Sequence, residues 1–253
     1  MTTYLHDEQI PTVSDPETGL PIGPVLARTA PAVRPERIVL DGHYCRLEPL
    51  DPVRHGDDIW RAVTPSDAAR RFLYLPVAAP ASRAEHDAWM ESRAGSGDPL
   101  YFAVIDKRTG RAEGRQSLMR IDPVNQAIEI GDIYWGPAIS RTAISTEANY
   151  LFACYAFDRL GYRRYEWKCN ALNLPSRRAA ERFGFTYEGL FRRATIVRGR
   201  SRDTTWFAMI EEEWPGLKAA YESWLDRANF DAEGRQRTSL AELTATALQS
   251  HQG

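Results

Sequence analysis

Hydrophobic and polar positions fall into readable periods from about Arg37 onward. Ile38 to Leu50 reads as two short strands around Asp41-Gly42, a dipeptide suited to a hairpin turn. Asp51 then precedes a stretch in which Val53, Ile59, Trp60 and Val63 share one helical face. This predicts a helix through about Val63, capped by Asp51. A second helix is expected over Ala84–Arg93, closed by the turn cluster Gly95–Pro99. Three strands follow, over Tyr101–Asp106, Arg115–Ile121 and Ala127–Trp135. The last carries Gly131 in its middle, where a glycine marks a bulge or a close backbone approach. Ser145–Leu160 is apolar nearly all round and reads as a buried helix that ends at Gly161. Beyond it the pattern gives a strand over Tyr165–Cys169, a helix over Pro175–Phe183 and a strand opened by Phe185. A last strand spans Thr204–Ile210, and helices run over Leu217–Ala228 and Leu240–Leu248. The order β-α-α-β-β-β-α-β-α-β-β makes a mixed α/β domain with no internal repeat.

Residues 1–36 break this regularity. Six prolines, from Pro11 to Pro35, and little apolar period predict an extended arm, with Tyr4, Leu5, Ile10 and Val13 as apolar anchors. Three parts result: the arm (1–36), a domain over 37–215 and a helical extension over 216–253. The chain has 253 residues, 43% apolar and 26% charged, enough for a core that needs neither disulfides nor a structural metal. A net charge of -2 argues against a nucleic-acid-binding coat. Cys45, Cys154 and Cys169 are odd in number and far apart, which rules out a CxxC site and fits a reducing compartment. There is neither an apolar run of 18 residues nor a signal-peptide pattern, so a cytoplasmic protein without a membrane span is expected.

Candidate chemistry is sparse. No P-loop, HExxH, GxSxG or EF-hand pattern occurs, and His6, His43, His55, His86 and His251 are isolated, so no metal is expected. Two features remain. The strand ending at Trp135 feeds a loop and then a helix start containing Ser145, Thr146 and Glu147. Free N–H groups there make an anion site, and Ser145 or Thr146 equally suits a cap. Asn173 and Ser176 stand three apart at a strand-to-helix turn, placed to hold a polar ligand or to satisfy the turn.

Together these features resemble the GNAT acyl-CoA-dependent acetyltransferases, most nearly the Rim-type branch that acetylates ribosomal-protein N-termini and small amines. The resemblance spans about Arg37–Trp214. It rests on the block Asn173, Ser176, Gly184, Phe185, Glu188 and Gly189, on Glu129-Ile130-Gly131, and on Thr146-Glu147-Ala148. It implies a strongly twisted, mostly antiparallel sheet flanked by helices. Its fourth strand (Ile128–Trp135) would splay from its fifth (Tyr165–Cys169), with the pantetheine arm of acetyl-CoA in the gap. Cofactor-binding residues would then be Ile133, Tyr134 and Trp135 on the fourth strand. Arg141, Thr142, Ala143, Ile144, Ser145 and Thr146 would form the pyrophosphate loop, with Asn173 and Ser176 beyond. Arg141 matches the family's loop pattern, whereas Ile144 and Thr146 replace its small residues. The family's tyrosine acid is replaced by Ala180, which leaves Ser176 to protonate the departing thiolate. Glu129 is the expected base, with Asp132 and Glu166 as alternatives. Strand alternation puts Glu129 and Asp132 on opposite faces unless a bulge at Gly131 intervenes.

The implied activity is transfer of an acetyl group to a primary amine: a small amine, an amino acid or a peptide N-terminus. Trp60, Phe72, Tyr74, Trp89, Tyr134 and Trp206 are aromatic candidates for the acceptor pocket, or core. Arg192, Arg193, Arg198, Arg200 and Arg202 mark either a solvated hairpin or a site for an acidic acceptor. The competing reading is an acyl-CoA-binding sensor or docking module of the same fold that has lost catalysis. The arm and C-terminal helices would cover the sheet or mediate a homodimer.

Overall fold

A computed structural model describes residues 11–252, so Tyr4, Leu5, Ile10 and His6 lie outside the described residues. The chain divides into two units, Met1–Pro31 and Ala32–Gly253. Within the first, β1 (Val13–Ser14) and β2 (Pro21–Ile22) form a two-rung antiparallel ladder. Its turn is held by the Asp15 carboxylate, which accepts the N–H groups of Glu17 and Thr18.

The second unit is built on one eight-stranded sheet. Its strands are β3 (Leu40–Asp41), β4 (Cys45–Pro49), β5 (Leu100–Asp106), β6 (Arg111–Asp122), β7 (Ala127–Trp135), β8 (Arg164–Asn170), β9 (Thr186–Val197) and β10 (Arg200–Ile210). The spatial order is β3-β4-β5-β6-β7-β8-β10-β9. Every pairing is antiparallel except β7 with β8, which the intervening helix connects as a parallel crossover. β9 is an exposed edge, bulged twice against β10, with Arg193 at φ 50°.

Two cores form, one on each face of the sheet. On one face, α1 (Pro52–Val63) and α3 (Arg83–Ala94) bury Ile59, Val63 and Met90 against Tyr101, Ala103 and Tyr134. Asp51 caps α1 by accepting from Val53 and Arg54 N–H, and Ser82 caps α3 by accepting from Glu85 N–H. The four-residue α2 (Ala68–Arg71) lies between them, too short to leave a period in the sequence. On the other face lie α4 (Ala143–Cys154), α5 (Leu174–Arg182), α6 (Trp214–Leu225) and α7 (Leu240–Gln252). The core there contains Phe102, Phe152, Tyr165, Phe207, Leu217 and Tyr221. A single π turn, Tyr155–Arg159, extends α4.

Two helix starts differ from expectation. Helix α4 begins at Ala143 because Thr142, not Ser145 or Thr146, is its cap: the Thr142 side chain accepts Ile144 N–H at 3.2 Å. Helix α6 begins at Trp214, because Pro215 falls in its first turn, where a proline lacks no needed N–H. At Gly184 (φ 89°) the chain leaves α5 so close to α6 that a Cβ would lie 2.5 Å from Leu217. The three cysteines are free. Among the described residues no helix is long and apolar enough to cross a membrane, and no His/Cys/Asp/Glu group could hold a metal.

Candidate active site

The pairing of β7 with β8 is short. It runs through Ala127↔Arg164, Ile128↔Tyr165, Glu129↔Glu166 and Ile130↔Trp167, and then stops. Gly131–Trp135 and Lys168–Asn170 continue as strands without pairing to each other, so a wedge opens in the middle of the sheet. Backbone groups along this wedge lack the partners that a ladder supplies, and a ligand can take their place.

The irregularity on β7 falls one residue after the glycine. Tyr134 pairs with Arg115 and Gly131 with Ser117, so Gln116 alone faces Asp132 and Ile133, and Asp132 sits at φ 44°. Gly131 itself is a close approach, since a Cβ there would run into the Met119 sulfur. Arg115 locks the bulge. Its guanidinium donates to the Asp132 carbonyl at 2.8 Å and pairs with Asp132 Oδ1 at 2.9 Å, while Tyr101 Oη donates to Oδ2 at 2.5 Å. Burial pushes the Asp132 carboxyl upward, yet the Arg115 charge and the Tyr101 hydrogen bond outweigh it and hold its pKa low. The bulge also resolves the question of faces. Asp132 meets Tyr101 and Tyr134 donates to Ala62 O at 2.9 Å, both on the α1 and α3 side, where Glu129 meets Lys168. Glu129 and Asp132 therefore share a face.

Glu129 is buried (2% exposed) and held by two cations, Arg120 at 2.6 Å and Lys168 at 3.0 Å. Burial raises its pKa above the ordinary carboxylate value despite both charges. Glu166 is tied to Lys168 and Arg164, each at 2.5 Å, and its pKa is lowered: desolvation pushes it up, but these two partners prevail. Of the three carboxylates, only Glu129 combines burial at the wedge with a raised pKa.

At the mouth, Arg141 precedes α4 with φ 64°, exposed and without a hydrogen bond or ion pair to any described residue. The Ile144 N–H is taken by the Thr142 cap, and the hydroxyls of Ser145 and Thr146 donate back to Thr142 O at 3.1 and 3.3 Å. Thr146 also accepts from Arg182 at 3.1 Å. Asn173 is the N-cap of α5, its Oδ1 accepting Ser176 N–H at 3.2 Å. The Ser176 hydroxyl accepts the Trp167 indole N–H at 3.0 Å, which leaves its own proton free to be donated. Trp167 is the residue at which β7 and β8 part, so Ser176 is tied to the apex of the wedge. Ala180, at the position of the absent tyrosine, is fully buried.

Several of the other sequence candidates have partners within the fold. Tyr134 is fixed by its bond to Ala62 O, and burial pushes its pKa up to about 12. Trp135 donates to Gln116 at 3.0 Å. Phe72 packs on Tyr134 and Trp89 on Tyr101, inside the core of the α1 face. Arg115, Arg120 and Lys168, the partners of the strand carboxylates, belong to no motif of the sequence. For Lys168 a signal was present: it stands two residues after Glu166 on one strand and hence on one face.

These features, a wedge between two parallel strands with a helix N-terminus at its mouth, define an acetyltransferase fold. A family model described as an acetyltransferase (GNAT) domain matches residues 46–186, and the chain belongs to this family. It is similar to a solved GCN5-related N-acetyltransferase from Brucella melitensis, at 53% identity and a TM-score of 0.85, covering 87% of this chain and 100% of that one. It is 29% identical over 119 residues to an uncharacterized N-acetyltransferase, p20, of Bacillus licheniformis; the match covers 46% of this chain and 64% of that relative's length. A solved Salmonella typhimurium acetyl transferase that modifies the N-terminal serine of ribosomal protein L7/L12 shares the fold. Its TM-score is 0.59 at 20% identity, covering 68% of this chain and 99% of that one.

Proposed function

We propose that this protein moves an acetyl group from acetyl-CoA to a primary amine on a small molecule, an amino acid or a peptide N-terminus. The observation that carries this reading is the loss of β7–β8 pairing after Ile130↔Trp167, next to a locked bulge. The residues present fit an acyl-CoA. Strand backbone at Ile133–Trp135 faces a gap with no ladder partner in β8, and Arg141 with the Ala143 and Ser145 N–H groups in the first turn of α4 offers a charge and donors to phosphates. Acetyl-CoA supplies an acetyl group activated as a thioester.

The chain's own groups then have distinct tasks. The acceptor must lose a proton, since an amine of pKa near ~10 arrives charged at neutral pH. Glu129 takes that proton directly or through water; its raised pKa suits a base. Ser176 gives its hydroxyl proton to the leaving sulfur, with Trp167 holding its oxygen in place. Backbone N–H groups at the bulge, near Ile133 and Tyr134, are placed to stabilise charge on the thioester oxygen. Asn173 fixes the start of α5 and with it Ser176.

The test is calorimetric titration with acetyl-CoA followed by thiol release against an amine panel. Micromolar binding with turnover is expected. Glu129→Gln should lower kcat roughly 10²-fold or more at pH 7, the usual span for a general base. Full kcat in that variant removes Glu129 from the mechanism. Binding without turnover on any amine assigns the binding-module reading instead.

A further inference from the structure

The arginines of the last hairpin do not behave alike. Arg192, Arg193 and Arg200 are exposed. Arg198, at the tip, donates to Phe72 O at 3.3 Å and Leu73 O at 2.5 Å. Phe72 belongs to the core under α1 and α3, so the hairpin tip reaches over the same sheet face that carries Glu129. Arg202 is different again. It is half-buried, its Nε is sealed from solvent, and its guanidinium makes no hydrogen bond or ion pair with any described residue.

Register places Arg202 at the wedge. Thr204 pairs with Asn170 and Trp206 with Lys168, so Arg202 lies just past the end of β8, on the splayed side, and on the face of Trp206 by alternation. The Lys168 ammonium is 3.7 Å from the Trp206 ring and 3.0 Å from Glu129. Burial depresses the Arg202 pKa, and the neighbouring Arg120 guanidinium adds to that depression, while Cys169 and Glu129 oppose it. The charges on this face do not balance. Glu129 is shared by Arg120 and Lys168, Glu166 by Lys168 and Arg164, and Glu188 pairs with Arg164. In this cluster Arg202 is left without a carboxylate; Arg93, whose Nε is likewise sealed and unpartnered, stands apart on α3 and acts on Asp132. A shielded guanidinium without an acceptor is costly, and an arriving anion relieves that cost.

We infer that the acceptor carries a carboxylate and that Arg202 holds it while the amine faces Glu129. The inference rests on the acetyltransferase reading above and narrows its substrate to amino acids in the broad sense, α- or ω-amino carboxylates. A planar fork matches a carboxylate with two parallel hydrogen bonds, which a neutral amine cannot offer. Charge sorting then orients the acceptor: its ammonium goes to the carboxylate of Glu129, its carboxylate to the leftover guanidinium.

The experiment uses matched pairs: glycine, β-alanine, 4-aminobutyrate and leucine, each beside its carboxamide. Each is titrated calorimetrically into the full chain saturated with CoA, and each is assayed for thiol release with acetyl-CoA. At least one acid should bind ten-fold or more tightly than its amide, with kcat/KM higher by a similar factor. Arg202→Gln should bring that acid down to the level of its amide, and Arg202→Lys should restore part of the preference, which reports a folded protein. Acids that bind no better than amides, or not at all, overturn the inference, as does an unchanged preference in Arg202→Gln. Turnover of the amides without acid preference overturns it while leaving the acetyltransferase reading intact. Failure to bind acetyl-CoA overturns both.

Discussion

Removing the Glu147 carboxylate should loosen the join between α4 and the β3–β4 turn. That carboxylate accepts three backbone N–H groups, from His43 and Tyr44 at 2.7 Å each and from Cys45 at 2.6 Å. No cation among the described residues is paired with it, so in Glu147→Ala the loss is one of hydrogen bonds alone. Cys45 is fully buried, and its orphaned N–H costs about 1–3 kcal/mol. His43 is exposed and Tyr44 half-buried, so water takes over their N–H groups at a cost of roughly 0.5–1 kcal/mol each. Relief from keeping a carboxylate out of water offsets part of this, leaving about 2–4 kcal/mol. At about 2–4 °C per kcal/mol for a domain of this size, Tm should fall by roughly 4–16 °C, with a matching drop in the urea midpoint. Gly42 supplies the cross-check. A Cβ there would sit 2.5 Å from Glu147 Cδ, so Gly42→Ala should be destabilising in the native chain and nearly silent once Glu147 is alanine. A Glu147→Ala protein within about 0.5 kcal/mol of the parent, or strict additivity in the cycle, would refute the reasoning.

Stability should also fall as pH drops from 7 toward 5. His55 and His86 are buried, burial lowers both pKa values, and the neutral ring is the form the fold accepts. His55 Nδ1 must keep a lone pair for Asp51 N–H at 3.1 Å, and protonation destroys that bond. The folded state binds fewer protons than an unfolded histidine of pKa about 6.5, so this contribution is present above that pH and lost below it. Urea midpoints at pH 7, 6 and 5 should decline, and less steeply in His55→Gln/His86→Gln; equal slopes would contradict the assignment. Gly184→Ala should cost about 2–3 kcal/mol, from positive φ and the approach of Leu217; a midpoint shift below about 0.5 kcal/mol in urea unfolding would remove both grounds.

Much of this architecture was legible in the chain. The strand Ala127–Trp135 was bounded to the residue, because its run of β-formers stops at Gly136-Pro137. Asp51 announced α1 through its side-chain chemistry. What escaped had a common physical cause: it depends on partners distant in sequence. The bulge at Asp132 is held by Arg115, 17 residues away, and by Tyr101, 31 away, so the local glycine marks the close approach beside it and not the residue that bulges. The cap of α4 was misplaced because Thr142, Ser145 and Thr146 are chemically alike, and only the hydrogen-bond directions separate them. The pairing of Glu129 with Arg120 and Lys168 crosses three strands and leaves no local signature.

The outermost strand has a bearing on how the protein behaves in a crowded solution. β9 is a twelve-residue edge with Tyr187, Leu190, Phe191 and Ile196 exposed, an invitation to stack edge to edge with another sheet. Two devices on the same strand discourage this. The left-handed turn of the backbone at Arg193 and the two register shifts bend the hydrogen-bonding edge out of line. Arg192 and Arg193 place like charges where identical edges would meet. Straightening that bulge would turn a solubility safeguard into a template for polymerisation.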